Sequence, residues 1–417
     1  MELVYLWVED YKNIKKQGFN FSPRFECEFK DNELTITEKE DYVSIFPDNI
    51  NITAIVGENG SGKSSILKSI LQIDSFDNNF IIVYKENDTI YYNSNIQNIK
   101  TGSIPENANL LKNTIAYDHF KHVVYPYKDY RSIDTSMKSI VSVLVSNKVK
   151  DRNFEISSFM YIPTTIRITY KEPEELINKF IAFANPNIRK ELFDYFISLD
   201  GASYHQFLII KYITSAHIKS DIEICKDFSK LEEYFKGDLE ESRNRHINFI
   251  KVDNQTLNFL EDKVKIEYYT NSEYFDYFEY ELTDNKGLHY NNLSHGEQMI
   301  FGQLLNIYFY TEKSDNLLFL FDEPEIALHP QWQKKYLSEV IRLFVNTDAK
   351  IHFLFTAHSP FLLSDIPKQH ILFLKKDKES GKCLNVTEST KIDTFGANIH
   401  TLLSDGFFMS DGLMGEF

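Results

Sequence analysis

Cysteine is scarce: Cys27, Cys225 and Cys383 are the only three in 417 residues. They stand too far apart for a CxxC metal site, and an odd number does not make a disulfide framework, so all three read as buried or inert thiols. Basic charge is in deficit, with 45 Lys and Arg against 61 Asp and Glu and a net charge of −16. Such a balance disfavours a protein that grips nucleic acid over its whole surface. Long apolar runs are missing too; Leu317–Phe321 and Phe353–Phe355 are typical, far short of the roughly 20 residues of a membrane span. The opening MELVYLWVEDYK has acidic residues where a secretory signal carries basic ones. The chain therefore reads as cytoplasmic, without membrane contact. The absence of a fixed-period repeat argues against a solenoid.

What is present is the composition of a folded protein, 42% hydrophobic, 25% charged and 15% aromatic, long enough for two or three structural units. The charge is uneven: between Lys121 and Lys171 nine basic residues stand against four acidic ones. That stretch suits phosphates or an acidic partner, and equally a solvated face. Residues 1–56 read as short strands separated by Asn, Asp, Gly and Pro, followed by a helical pattern at Ile66, Leu67, Ile70 and Leu71. Residues 172–250 turn helical in period, while VKIEYYTNSEYFDYFEYEL (264–282) reads as a β-hairpin turning near Asn271 and Ser272. Beyond it come a helix over 297–310, an apolar strand over 317–321, an amphipathic helix carrying Trp332, Tyr336, Val340, Ile341 and Phe344, and a second strand over 351–355. Apolar strands alternating with helices predict a parallel α/β sheet covered on both faces.

Four stretches carry chemistry. Gly57-Glu58-Asn59-Gly60-Ser61-Gly62-Lys63-Ser64 fits GxxxxGK[ST] between an apolar strand and a helix, the context a phosphate loop requires. Lys63 suits the β- and γ-phosphates and the Ser64 hydroxyl suits Mg2+; Gly57, Asn59, Gly60, Ser61, Gly62 and Ser65 complete the nucleotide-binding set. Asp322 and Glu323 close an apolar strand at the sheet edge where α/β proteins bind ligands. Asp322 suits Mg2+ and Glu323 suits polarising a water. Ser294-His295-Gly296-Glu297 opens the preceding helix and also reads as a capping box. A later strand ends in Thr356-Ala357-His358-Ser359.

With these four motifs in order, the sequence resembles the ABC-type ATPase heads of the SMC-like and RecF-like kind, over roughly residues 1–72 and 285–377. The resemblance implies an α/β head with a mixed sheet and flanking helices, and a helical insertion between the Walker A and signature motifs. Residues 1–74 would form its first lobe, 75–260 a β-rich then helical insertion, and 261–417 the second lobe. It also implies ATP and Mg2+ held between two chains of a homodimer: Lys63, Ser64, Asp322, Glu323 and the switch residue His358 of one would face Ser294 and Gly296 of the other. Glu297-Gln298 departs from the usual signature, and His329 stands where transporter ATPases usually carry an Asp. The run DEPEIALHP (322–330) instead looks like the bacterial OLD-like ATPases.

Neither a Toprim DxD nor an HNH-type constellation is apparent. The stretch from Thr394 to Phe408 looks like a segment of prokaryotic defence-associated AAA/ABC ATPases, among them the PtuA subunit of Septu systems and retron-associated relatives. That likeness implies a separate HNH nuclease partner, controlled by nucleotide state in antiphage defence. The alternatives are a RecF/SMC-like repair clamp that binds nucleic acid through residues 121–171 and, last, a transporter subunit. The 231 residues from Lys63 to Ser294 exceed what compact transporter ATPases carry.

Overall fold

The computed structural model describes residues 1–73, 78–108, 110, 114–118, 131–132, 136–145, 161–170, 255–270, 278–311 and 314–403. The chain divides into two compact units, one of Met1–Val143, Asn147–Met160 and Leu293–Phe417, the other of Leu144–Ser146 and Tyr161–Asn292. Most of the basic stretch 121–171 and all of the helical pattern 172–250 lie outside the described residues.

A seven-stranded mixed sheet forms the centre of the first unit. Its strands are β5 (Ile50–Gly57), β8 (Thr114–Asp118), β9 (Arg131–Ser132), β13 (Asn316–Asp322), β14 (Lys350–Thr356), β15 (Ile371–Lys376) and β16 (Cys383–Asn385). They run in the order β16-β15-β5-β14-β13-β8-β9, with only β16 antiparallel to its neighbour. The central strands are mostly apolar because both faces are covered. Alternate side chains then serve different cores. Phe319, Phe321, Phe353, Phe355, Ala54 and Val56 join one cluster. Its cover comes from the helices α4 (His295–Thr311) and α5 (Pro330–Phe344), which contribute Ile300, Leu304, Ile307, Tyr336, Val340 and Phe344. Leu318, Leu320, Leu354, Ile55 and Leu372 join the other cluster. There they meet Ile66, Leu67 and Ile70 of α1 (Lys63–Leu71) and a four-stranded antiparallel sheet.

That second sheet runs β2-β1-β6-β7, from β1 (Glu2–Tyr11), β2 (Ile14–Asn20), β6 (Phe80–Glu86) and β7 (Thr89–Ser94). The sequence reading puts residues 75 onward in the insertion, yet β6 is hydrogen-bonded to β1 and β8 lies beside β13. A hairpin of β3 (Phe25–Lys30) and β4 (Glu33–Glu38) covers the outer face of this sheet, where Phe25, Cys27 and Leu34 pack on Val4, Tyr5, Ile81 and Val83. Cys27 and Cys383 are free and buried.

Polar side chains also lie between the layers, His352 among them. His352 occupies the same face of β14 as Leu354 and is 1% exposed. Its Nδ1 accepts from the Leu3 N–H at 2.9 Å, and its Nε2 lies 2.9 Å from Thr53 Oγ1, which itself donates to the Phe21 carbonyl at 2.6 Å. Because the Thr53 proton is committed, Nε2 carries the ring hydrogen and the imidazole is neutral. Burial pushes its pKa down to about 3.

In the second unit β10 (Pro163–Tyr170) is flanked by β11 (Gln255–Asn258) and β12 (Phe278–Asp284), both antiparallel to it. The expected hairpin over 264–282 is not formed. Its first arm is the short helix α3 (Lys263–Tyr269), and its second arm pairs with β10 instead. The Ile266 N–H donates to the Asp262 carbonyl, Lys263 and Glu267 pair at 3.6 Å one turn apart, and Ile266 is fully buried. These one-turn contacts override the two-residue alternation of Val264, Ile266 and Tyr268. A further helix, α2, spans Met137–Val145. Among the described residues no helix is long and apolar enough to cross a membrane.

Candidate nucleotide site

The loop between β5 and α1 is shaped by what surrounds it. A side chain at Gly57 would bring its Cβ within 2.1 Å of the Leu374 carbonyl, so only glycine lets β15 run this close; Gly60 and Gly62 follow at φ 76° and 114°. The loop is pinned from outside by Asn13 Nδ2, which donates to the Gly60 carbonyl at 3.1 Å, and by Glu58 Oε1, which accepts from the Lys376 N–H at 2.7 Å. Lys63 is buried, and its Nζ donates to the carbonyls of Gly57 and Glu58 at 2.9 and 3.2 Å. Desolvation lowers its pKa, while Glu323, Asp322, Glu325 and Glu58 oppose that shift. Asn59 is exposed and Ser65 half-buried. The Ser61 hydroxyl is buried without a partner.

The ends of β13 and β14 complete the site. Asp322 and Thr356 are register neighbours, and the Thr356 hydroxyl donates to Asp322 Oδ1 at 2.6 Å. Ser64 Oγ donates to the same oxygen at 3.0 Å, joining the start of α1 to the end of β13. On a continuing strand Glu323 would point to the opposite face. It adopts φ 50° instead, a conformation costing roughly 1–3 kcal/mol for a non-glycine residue. Its N–H is held there by the Thr356 carbonyl at 3.2 Å and hydroxyl at 3.0 Å. The turn sets Glu323 Oε1 2.9 Å from His358 Nε2.

Glu325 lies behind this pair and is 1% exposed. Its Oε1 accepts from the N–H groups of His358 and Ser359 at 2.9 and 3.2 Å. Burial pushes its pKa up to about 7 against the lowering effect of the His358 N–H. Gln333 of α5 adds a second tie to the same turn, accepting from Ser359 Oγ at 2.7 Å and donating to the Glu325 carbonyl at 3.2 Å.

The structure thus brings Lys63, Ser64, Asp322, Glu323 and His358 together. Ser294 and Gly296 are not joined to them: among the described residues neither makes a hydrogen bond or ion pair with residues 57–65. Ser294 instead forms the capping box, its N–H and hydroxyl reaching Glu297 Oε2 at 2.8 and 2.7 Å. Gly296 abuts the loop after β13, where an added Cβ would lie 2.7 Å from the Ala327 carbonyl. Sequence reasoning missed Thr356 and Gln333 as parts of the site. The available signal was that TAHS ends the strand beside the one delivering Asp322.

Two family models match different parts of the chain. One, described as "ABC transporter", covers residues 45–160, and one described as "AAA domain, putative AbiEii toxin, Type IV TA system" covers 211–364. The chain carries an ABC-type AAA ATPase head. This ATPase is 22% identical over 408 residues to a Vibrio cholerae protein described as "Retron Vc95 probable ATPase", with 85% of this chain and 74% of that one aligned. Among solved structures it aligns with the SMC head domain of Thermotoga maritima (11% identity, 93% and 99% of the two chains, TM-score 0.33) and with the recombination mediator RecF (12%, 92% and 98%, TM-score 0.30).

The site fits ATP with Mg2+. The orphaned Ser61 hydroxyl and the internally satisfied Lys63 ammonium lie in the phosphate loop. Ser64 and Asp322 offer a hydroxyl and a carboxylate within 3.0 Å of each other, the hard oxygen donors that Mg2+ takes together with phosphates. No cluster of three or more His, Cys, Asp or Glu side chains suited to a metal occurs among the described residues. A cation here would therefore depend on the nucleotide for its other ligands.

Proposed function

We propose that this ATPase is a regulatory subunit that binds ATP between two copies of itself, hydrolyses it, and thereby controls a separate effector nuclease of HNH type in antiphage defence. The observation that carries the catalytic part is the continuous set of contacts Ser64–Asp322–Thr356–Glu323–His358. Lys63 would exchange its two carbonyl partners for β- and γ-phosphate oxygens. Ser64 and Asp322 would hold Mg2+, which when bound neutralises phosphate charge. Glu323, with its carboxylate held by His358, would accept a proton from the attacking water, and His358 would face the γ-phosphate. Ser294 and Gly296 would close the site of the other copy, since the exposed start of α4 presents unpaired N–H groups to an anion. The defence role rests on the likeness to the retron ATPase and on the stretch from Thr394 to Phe408.

Glu323→Gln keeps the side-chain shape and removes the charge of the base. Turnover should fall by a factor on the order of 10² or more while ATP still binds; normal phosphate release by the variant would remove Glu323 from this role. Purification from the native host with associated proteins tests the partner. An HNH nuclease supports the reading, whereas nucleic acid alone would favour a repair clamp.

A further inference from the structure

Resting on that reading of Glu323 and His358, we propose that Glu325 is a positioning residue that sets the switch His358 on the base and ties that pair to the signature helix. A single oxygen of a buried carboxylate holds two consecutive backbone N–H groups, those of His358 and Ser359. When the carboxylate is ionised, such a bond is about twice as strong as a neutral one. Without Glu325 both donors lose this acceptor, and the backbone that aims the imidazole at Glu323 Oε1 is less constrained.

The far side of the same loop makes the link to α4. Two residues beyond Glu325, the Ala327 carbonyl lies so close to Gly296 that a methyl group could not enter. The Glu325 carbonyl accepts from Leu328 N–H at 2.9 Å and from Gln333, so the loop is closed on itself and moves as a unit. One short segment therefore touches the start of the signature helix at Ala327 and the switch turn at Glu325. Docking of α4 on another copy's nucleotide would reach this copy's own Glu323–His358 pair through Glu325.

The test compares Glu325→Met, which fills the buried volume without an acceptor, with Glu325→Gln, which keeps one. The full chain is assayed for ATP turnover and affinity, and in nucleotide-free form for hydrogen exchange at the His358 and Ser359 amides. Glu325→Met should exchange at least about tenfold faster at those amides and lose about tenfold or more in kcat with ATP affinity within about twofold. Glu325→Gln should restore most of both. In a His358→Ala background Glu325→Met should cost no more than about twofold further, because it acts through that residue. Glu325→Ala is read in the same way if Glu325→Met does not accumulate as folded protein. Unchanged amide exchange in Glu325→Met, a Gln variant as impaired as Met, or additive losses with His358→Ala would each overturn the proposal. Glu323→Gln separates the two readings: if it keeps full turnover the catalytic assignment fails, while the amide exchange still decides the clamp.

Discussion

Thr356 is where the two carboxylates of the β13 terminus part company, since its hydroxyl gives its proton to Asp322 and takes the N–H of Glu323. Thr356→Val keeps the β-branched shape and removes both bonds. Each hydrogen bond lost costs about 0.5–1.5 kcal/mol, since Asp322 keeps Ser64 and the Glu323 N–H keeps the Thr356 carbonyl, so the variant should unfold at lower urea. Its ATP affinity should also depend less on Mg2+, as Asp322 loses its orientation. Calorimetry with and without Mg2+ checks this; wild-type stability and Mg2+ dependence would discount the role of Thr356. The residue was not legible in the sequence, because a threonine closing an apolar strand is an ordinary β-former. Asp322, Glu323, Lys63 and Ser64 were legible because each belongs to a motif with fixed spacing. The φ of 50° at Glu323 was not, since nothing in a DE pair announces a left-handed turn.

At the scale of elements, the start of α4 carries two constraints that the sequence expressed as one motif. Ser294 and Glu297 cap the helix, and Gly296 seats it on Ala327. Ser294→Arg should therefore lose about 1 kcal/mol with the cap and, by placing bulk at the proposed contact surface, abolish ATP-dependent dimerisation while monomers still bind ATP. Sedimentation of the variant in a Glu323→Gln background reads both; a dimer formed normally with ATP would exclude Ser294 from the interface. Long apolar strands and helices with capping signals, β13, β14, α4 and α5, were recoverable because pattern, propensity and cap agree. The segment 263–269 was not, because seven residues satisfy the two-residue and the 3.6-residue period about equally well.

For the whole molecule, the neutral His352 between the sheets makes stability depend on pH. Its folded pKa of about 3 and that of His370, lowered by burial to about 4, lie below the free value of 6.5. Between those values the unfolded chain binds more protons, so stability is complete above about pH 6.5 and is lost as pH falls towards 4 and 3. Each histidine contributes at most about 1.4 kcal/mol per pH unit. Protonating Nδ1 of His352 would also expel the Leu3 N–H. His352→Gln should flatten, without abolishing, the decline in urea midpoint between pH 6.5 and 4.5, and an unaltered slope would contradict the assignment. The same interleaving governs how the protein is made. Strand β5 leaves the ribosome with the phosphate loop at its end, but both its sheet neighbours, β14 and β15, come from the other end of the chain. Glu58 waits for a partner 318 residues downstream. A nascent chain paused in the insertion thus holds an intact Walker A sequence pinned by Asn13 alone, and the contacts of Leu374 and Lys376 that complete the loop arrive only once translation has passed Lys376.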